Sequence, residues 1–352
     1  MRTGLCRFAA AAATLVLLSG CVETTSGQAV RGAEWSAPAP SYRESLDSNI
    51  QAQLKRNDEV RKIDPCSVIN LDAAATLGPI KYMGTDRDAR SCSIQYDVPE
   101  LPGQEKEILK KLVPGFVSHI KFGDRLIDRF GRDDAVVSTG GSCSVFRTSG
   151  YIDPVSGTPE TVKYYVSMSG TDLGVDDPRD GCDDMQRVAD ASGSQRQHPT
   201  LRAESRYVPH SRLMTVDPCA ALDSIAQGRV FKLTKPQESL ECWYEIEPGT
   251  AEVSIRHVFE EYETMPRSNP YRTVLKVRGV TTELSTSGKG PGLECTYSAY
   301  VDFEDPHAGS DPKSQTPQWV GTLLVQGTDA KPDCSSLLAV TEEAVRRYQE
   351  AK

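Results

Sequence analysis

Short stretches of alternating apolar and polar residues fill the middle of this chain in two groups. The alternation is clearest at residues 273–278, Thr-Val-Leu-Lys-Val-Arg, and is typical of a strand that buries one face. Other stretches rich in β-branched and aromatic residues are also strand-like: 92–98, 116–122, 161–168, 242–247, 253–259, 272–280, 296–303 and 319–326. The pattern predicts antiparallel sheets with one face on the core.

A helix start signal precedes each group of strands. Asp-Pro-Cys occurs at residues 64–66 and 217–219, where Asp can cap a helix and Pro suits its first position. We therefore expect a short helix over residues 66–77, ended by Gly78, and a second one over residues 219–225. The first cysteine of each group would then lie on a helix.

Helical patterns also follow each group, at residues 182–189 and 334–347. Each group then reads helix, strands, helix, which predicts the α+β fold class. We expect two tandem homologous domains, each an antiparallel sheet flanked by an N-terminal and a C-terminal helix. Their expected bounds are 63–192 and 216–352, with a linker at 193–215.

One cysteine pattern occurs in both groups and indicates a tandem duplication. The four cysteines of the first copy recur at nearly constant spacing in the second: Cys66, Cys92, Cys143 and Cys182, then Cys219, Cys242, Cys295 and Cys334. The copies differ most between their second and third cysteines, with extra residues at 106–113 in one and 260–270 in the other. Any difference in function between the copies is expected there.

Eight cysteines in the exported part of the chain predict a disulfide framework. Four per domain allow three connectivities, and our preferred pairing is sequential: Cys66 with Cys92, Cys143 with Cys182, Cys219 with Cys242, and Cys295 with Cys334. Each bridge would contribute about 3 to 4 kcal/mol in the chain-entropy model. No Cys-x-x-Cys occurs and no His lies beside these cysteines, which disfavours zinc and thiol redox sites.

The first residues predict export and lipid attachment. Residues 1–20 have a basic start and a short apolar run, as in a signal peptide, and the run is too short to cross a bilayer. Residues 18–21, Leu-Ser-Gly-Cys, resemble the bacterial lipobox, which implies acylation of Cys21 and cleavage before it. The alternative is ordinary cleavage near Gly20 with Cys21 incidental. An acylated Cys21 would anchor the protein at the outer face of the cell membrane.

Residues 21–62 are expected to hold the anchor, a flexible tether and one short helix. The composition up to about residue 40 is small, polar and rich in proline, as in linkers. Leu46, Ile50 and Leu54 then follow at helical spacing. This narrow stripe suits either a docking helix or a solvated helix that frays.

The net charge of −9 at pH 7 limits the possible partners. Nucleic acid and anionic lipid headgroups both require basic patches, so neither is an expected partner. We expect membrane association to come from the acyl chains on Cys21, and the other partner to be an envelope protein or lipid ligand.

No motif for catalysis or cofactor binding accompanies the repeat. A Gly-x-Ser-x-Gly elbow is absent, and the five histidines share no motif: His119, His198, His210, His257 and His307. His119 and His257 fall in early strands of the two copies and are expected to be structural. The glycine-rich residues 288–292 lack the Lys and Ser/Thr of a phosphate loop, and no aromatic platform for sugars is visible.

The densest acidic cluster could supply oxygen ligands to calcium, because carboxylate oxygens are calcium ligands. It consists of Asp176, Asp177, Asp180, Asp183 and Asp184. The spacing of a calcium loop is missing, and acidic residues at a helix start are favoured by the helix dipole alone. We expect no metal and no other cofactor.

Three motifs together resemble an actinobacterial cell-envelope lipoprotein family of unknown function, with relatives in mycobacteria and corynebacteria. They are the lipobox, the Asp-Pro-Cys openings and Cys-Trp-Tyr at residues 242–244. The resemblance covers both repeats, although the first copy has Cys-Ser-Ile at residues 92–94 instead. It implies a surface location and paired cysteines, and it supplies no activity.

These observations predict a membrane-anchored, non-enzymatic lipoprotein of the cell envelope that acts as a binding or scaffold module. The alternative is a carrier of an apolar envelope lipid, which would need a large apolar cavity. An extracytoplasmic hydrolase is a third possibility and has the least support from the sequence.

Overall fold

The computed structural model describes residues 41–85, 87–96, 120–122, 136–139, 142–167, 179–235, 238–247, 251–262, 272–288, 292–307, 318–329 and 333–351. The expected signal peptide, Cys21 and the tether up to residue 40 lie outside these residues, as do 106–113, His119 and most of 260–270. Met1–Ser45 forms a separate unit, of which the described part holds a 3₁₀ turn at Tyr42–Ser45. Leu46–Lys352 forms one compact unit that contains both cysteine repeats.

The first helix of the large unit is docked rather than solvated. Helix α1 (Ser48–Arg61) begins where the Asp47 carboxylate accepts hydrogen bonds from two backbone N–H groups. Leu54 and Val60 are buried, and Val60 joins the core of the first half. Of the predicted stripe, Leu54 is buried and Leu46 and Ile50 are half-buried, so the helix packs on its own chain through its second half. A role in docking a partner stays a prediction.

The first half contains a six-stranded antiparallel sheet in the order β1-β2-β3-β6-β5-β4. Its strands are β1 (Ile80–Gly84), β2 (Ser93–Tyr96), β3 (Ile120–Phe122), β4 (Val136–Thr139), β5 (Ser142–Ile152) and β6 (Pro159–Ser167). The predicted strand at 116–122 is described only over β3, and β1, β4 and β5 were not predicted. Mixed helix and antiparallel sheet agree with the expected α+β class.

The single helix predicted over residues 66–77 is wrong. The chain forms a 3₁₀ turn at Pro65–Val68, becomes extended at Ile69, and then forms helix α2 (Leu71–Ala75). The Asn70 side chain accepts a hydrogen bond from the Ala73 N–H and so starts a second, separate helix. The first cysteine consequently lies in a 3₁₀ turn.

Helices α3 (Arg179–Ala191) and α4 (Gly193–Gln197) follow the first sheet. Met185, Val188 and Ala189 of α3 are buried in the same core as Val145 and Tyr164 of the sheet. Helix α3 therefore covers one face of the first sheet, and the helix predicted at residues 182–189 is confirmed.

The second half contains a seven-stranded antiparallel sheet in the order β7-β8-β9-β13-β12-β11-β10. Its strands are β7 (Val230–Leu233), β8 (Glu241–Glu247), β9 (Val253–Glu261), β10 (Arg272–Val277), β11 (Val280–Ser287), β12 (Leu293–Tyr300) and β13 (Trp319–Asp329). Helix α5 (Leu222–Ile225) precedes the sheet and helix α6 (Ser335–Glu350) follows it. Six strands have the same order as the first sheet, and β10 is the additional one.

The strand predicted at 272–280 is a hairpin instead. Arg278 and Gly279 both have positive φ, 49° and 85°, and join β10 to β11 by a two-residue turn. Residues 285–287 are the end of β11, and the chain turns afterwards, at Gly288. Arginine occupies the first turn position, where Asn, Asp or Gly is usual, so the sequence has no typical hairpin signal here.

The four disulfides have the predicted sequential pairing. Their Cα–Cα distances lie between 4.9 and 5.9 Å: Cys66–Cys92, Cys143–Cys182, Cys219–Cys242 and Cys295–Cys334. In each half, the first bridge joins the opening turn to the chain at the start of the second strand, β2 or β8. The second bridge joins β5 or β12, the fifth strand in sheet order, to the start of the helix that follows the sheet. Cys219 lies in a turn ahead of α5, so the helix predicted from residue 219 begins later.

The segment expected to be a linker, 193–215, is folded. It contains α4 and 3₁₀ turns at Arg202–Glu204 and Arg212–Thr215. The buried Arg202 guanidinium donates hydrogen bonds to the carbonyl oxygens of Arg61 and Ala89. This segment therefore fixes neighbouring loops in place rather than acting as a flexible connection.

Candidate functional site

The second sheet has one face covered by α6, and part of its opposite face is polar. A Cβ atom added at Gly327 would lie 3.3 Å from the Leu337 side chain, which places the odd positions of β13 against α6. The even positions, including Leu324 and Gln326, therefore point to the opposite face. The pairing register aligns this face across β9, β13, β12, β11 and β10.

This polar face carries a cleft of about 420 Å³. Three arginines, two glutamates and hydroxyl-bearing residues dominate its lining: Arg87, Arg256, Arg272, Glu260, Glu283, Ser285, Thr296, Ser298 and Tyr300, with Leu324 and Gln326. Its size lies within the range of small-molecule sites, roughly 300 to 1,000 Å³. It is the strongest candidate for a binding site among the described residues.

Arg87 reaches this cleft from the first half of the chain. Its carbonyl oxygen accepts a hydrogen bond of 3.0 Å from the Phe259 N–H, which ties its loop to β9. Its guanidinium pairs with Glu260 at 2.7 Å from Nη2 to Oε1. The Arg87 side chain is 68% exposed, so this pair lies at the rim where it can rearrange at small energetic cost.

A second ion pair lies on the far side of the cleft. Arg272 Nη1 is 2.8 Å from Glu283 Oε1, and the Glu283 side chain is only 4% exposed. The Tyr300 hydroxyl donates to the other carboxylate oxygen at 3.4 Å. Burial, together with the negative charge of Glu283, raises the pKa of Tyr300 well above its ordinary value, so Tyr300 remains a neutral donor.

Arg256 lies on β9, four residues before Glu260, and has no carboxylate partner among the described residues. Its Nη2 donates to Gln326 Oε1 at 3.2 Å, and Gln326 is in turn held by a hydrogen bond of 2.6 Å to Glu294. Its Nε is buried, so a ligand in the cleft does not reach that atom. Its Nη1 makes no hydrogen bond to a described residue, which leaves the outer edge of the guanidinium to contact a ligand.

Three hydroxyl groups line the cleft on β11 and β12, and β13 separates them from Arg256 on β9. Ser285 and Thr296 are directly paired across the strands, and Ser298 pairs with Glu283. All three side chains are partly exposed, and their hydroxyls make no hydrogen bond to other described residues. They can donate to or accept from a polar ligand.

A serine, a histidine and an aspartate also meet in the second half, but not in the order of a hydrolase. Ser211 Oγ and His307 Nε2 both contact Asp302 Oδ2, at 2.5 and 3.1 Å, and Tyr348 donates to Oδ1 at 2.6 Å. Burial alone would raise the pKa of Asp302, and these hydrogen bonds outweigh it and lower the pKa. A triad needs the histidine between serine and aspartate, so this arrangement does not activate Ser211.

The remaining histidines that the structure describes do not converge on a site. His198 is exposed, and His210 Nε2 lies 2.6 Å from the Ser205 carbonyl oxygen. His257 is buried at 3% exposure, as expected for a structural histidine. Burial, together with the charge of Arg61, lowers its pKa to about 3.

No group of three or more His, Cys, Asp or Glu side chains among the described residues is arranged to hold a metal ion. Asp176 and Asp177 of the acidic cluster lie outside those residues, and Asp184 pairs with Arg187 on α3. No helix in the same residue ranges is long and apolar enough to cross a membrane.

Comparison with protein-family models, with curated proteins and with solved structures found no match for this chain. The resemblance to an actinobacterial lipoprotein family therefore stays a prediction.

The cleft was not predicted from the sequence. Its residues come from five strands and one loop, and each strand contributes only alternate positions, so no contiguous motif marks it. A usable signal was the alternation on β9, where Arg256, Val258 and Glu260 share the face opposite the buried Ile255 and His257. Charged residues on one face of a central strand indicate a surface that is not used for the core.

Proposed function

We propose that this protein is a membrane-anchored, non-enzymatic binding protein of the cell envelope that takes a polar, anionic ligand into the cleft of its second half. The observation that carries the proposal is Arg256, a partly buried arginine that lines a ligand-sized cleft and has no carboxylate partner among the described residues. Arg87 and Arg272, each paired with a glutamate, add further N–H donors to the lining. Such an arrangement favours a negatively charged group.

The composition of the cleft supports a polar ligand over an apolar lipid. Leu324 is its one aliphatic side chain, and most of the lining is charged or bears hydroxyl or amide groups. Acyl chains gain affinity from apolar contact area, which this surface does not offer. The hydrolase alternative gains no support from Ser211. Both Ser211 and His307 contact Asp302, so the histidine does not lie between the serine and the aspartate as a triad requires.

We further infer that the two halves are tandem homologous domains. The shared order of six strands and the equivalent placement of the two disulfides in each half support a duplication. The second half has since gained strand β10, and β10 contributes Arg272 to the cleft. The binding function would then be specific to the second copy.

Anchoring by acylated Cys21 belongs to the same proposal. Replacing Cys21 with serine should move the protein from the membrane fraction to the soluble envelope fraction, because the acyl chains supply the anchoring energy. Cell fractionation and immunoblotting measure this, with Cys21→Ser compared with a Ser26→Ala control. Full membrane retention of the Cys21→Ser protein would contradict the anchor.

Ligand retention tests the binding function directly. The whole protein is purified in detergent, incubated with a low-molecular-weight extract of cell envelope, washed and analysed by mass spectrometry for bound small molecules. The wild type should retain an anionic compound that a variant with Arg87, Arg256 and Arg272 all changed to glutamine loses at least about tenfold. Equal retention by both proteins would sink the proposal.

A further inference from the structure

We propose that the ligand of this cleft is a sugar acid, a carbohydrate ring that carries one carboxylate. The inference rests on the proposed binding function and names the chemical class of the ligand. Three independent features of the cleft carry it: its charge, the donors of Arg256 and the row of hydroxyl groups.

The charge of the lining matches a ligand with a single negative charge. Glu260 neutralises Arg87 and Glu283 neutralises Arg272, which leaves the charge of Arg256 without a carboxylate among the described residues. A dianionic phosphate would bring a second charge close to Glu260 and Glu283, and like charges repel at such distances. A carboxylate fits this balance better than a phosphate monoester does.

The donors of Arg256 suit a planar carboxylate. Its Nη1 donates to no described residue, and its Nη2 keeps a second N–H beyond the one donated to Gln326. Two parallel N–H groups on one guanidinium edge bind both oxygens of a carboxylate together. Because Glu294 holds Gln326 in place, the orientation of Arg256 is fixed before the ligand arrives.

The other polar groups suit ring hydroxyls. Ser285, Thr296 and Ser298 present three hydroxyls on two adjacent strands, on the same sheet face as Arg256 and separated from it by β13. A hydroxyl both donates and accepts, as sugar hydroxyls do, so the two sets can pair in either direction. This surface offers more hydroxyl partners than a simple carboxylate would use.

An aromatic cluster adjoins the cleft at Tyr300. The Phe303 ring lies 6.5 Å from the Tyr300 ring and 5.5 Å from the Tyr262 ring, measured between centroids. Tyr262 is 38% exposed and lies two residues after Glu260, just beyond the end of β9. Its apolar ring face can cover the C–H surface of a sugar ring, while its hydroxyl remains in water.

The size of the cleft favours a sugar over a polypeptide segment. A volume of about 420 Å³ falls near the lower end of the range for small-molecule sites. An acidic protein segment would instead require a larger surface, of the order of 800 Å² per partner. An acidic peptide is therefore an alternative outcome of the test and not the expected one.

The test is an NMR titration of the whole protein in detergent with matched monosaccharides. Glucuronate and galacturonate are the sugar-acid probes, glucose and galactose are their neutral counterparts, and glucose 6-phosphate is the dianion. We expect at least one uronate to bind about tenfold or more tightly than its neutral counterpart and than the phosphate, given the strength of charge-assisted hydrogen bonds.

Variants connect binding to the cleft. Arg256→Gln should weaken uronate binding about tenfold or more, and Arg256→Lys should weaken it as well because lysine cannot bind a carboxylate with two parallel bonds. Ser298→Ala removes a hydroxyl that no described residue uses, and should weaken binding a few-fold while leaving the melting temperature unchanged. Arg229→Gln, at an exposed arginine that does not line the cleft, is the matched control and should have no effect.

The outcomes separate this inference from the proposed function. Equal binding of uronate and neutral sugar, or tighter binding of glucose 6-phosphate or of a tetraglutamate peptide, overturns the sugar-acid assignment while leaving a polar cleft that depends on Arg256. If the variant with all three arginines changed to glutamine retains the ligand from envelope extract as well as the wild type does, then the proposed function itself fails. Uronate binding that is unaffected by Arg256→Gln places the site elsewhere and overturns the assignment too.

Discussion

At the scale of single residues, the most unusual group is a neutral histidine inside the core of the second half. His257 lies on the helix-covered face of β9, and its Nδ1 has no hydrogen-bond partner among the described residues. The positively charged Arg61 of α1 is near it, and Arg61 is held by a hydrogen bond of 2.7 Å to the Ser239 carbonyl oxygen. Both burial and this charge oppose protonation of the imidazole.

This histidine should make the protein less stable in mild acid. Its pKa is about 3 in the folded state and near 6.5 when unfolded, so the unfolded chain binds the extra proton as the pH falls below 6.5. The free energy of unfolding should therefore be intact above pH 6.5 and decrease by about 1.4 kcal/mol per pH unit below about pH 6. Urea unfolding at pH 7.0, 5.5 and 4.5 measures this slope.

The comparison uses two glutamine variants. His257→Gln should lower stability at pH 7 through altered packing, but its stability should fall less steeply between pH 6 and 4.5 than that of the wild type. His198→Gln, at an exposed histidine, should keep the wild-type slope. Identical slopes for His257→Gln and the wild type would show that His257 does not bind the proton on unfolding.

At the scale of elements, cysteine spacing was a better guide than local propensity. The sequential pairing was predictable because the second bridge closes the same number of residues in both copies. Elements whose form depends on one residue were not predictable. Asn70 caps a second helix where one continuous helix was expected, and Arg278 forms a turn where one continuous strand was expected. In both cases a local hydrogen bond or a rare backbone angle overrode a continuous pattern.

The candidate site was harder to predict than the fold, for a reason of geometry. Arg87 and Arg256 are far apart in sequence and meet because the loop after β1 binds β9 through the hydrogen bond from Phe259 to Arg87. A single sequence contains no signal for such a contact between halves. The polar alternation on β9 was visible in the sequence, but its partners on β12 and β13 were not.

At the scale of the whole molecule, the two halves have the same scaffold and different open surfaces. The cystine residues Cys143 and Cys295 pair with Val166 and Gly327 in their sheets, which aligns the two registers. By this alignment Ser298 and Leu324 of the cleft correspond to Phe146 and Lys163 of the first sheet. At these two positions the first sheet therefore carries an aromatic and a basic side chain where the cleft has a hydroxyl and an aliphatic one.

A buried ionic cluster joins the halves and should make them unfold together. Arg90, which is 8% exposed, pairs with Asp88 in its own loop and with Glu238 and Glu241 of the second half. Removing the arginine would leave three partly buried carboxylates next to one another. Because breaking a buried ion pair from one side is costly, Arg90→Met should lower the free energy of unfolding by roughly 2 to 4 kcal/mol.

Differential scanning calorimetry distinguishes a contact between the halves from a merely local one. The wild type should show one transition, whereas Arg90→Met should show an earlier transition that broadens or divides, since the two disulfide-bonded cores lose their coupling. Lys62→Met, at an exposed ion pair with Glu59, is the control and should change stability by less than about 0.5 kcal/mol.

Because Arg87 lies three residues before Arg90, the Arg90→Met variant should also weaken ligand binding in the cleft. A single transition at the wild-type temperature, with unchanged binding, would mean that the halves are stable without this cluster.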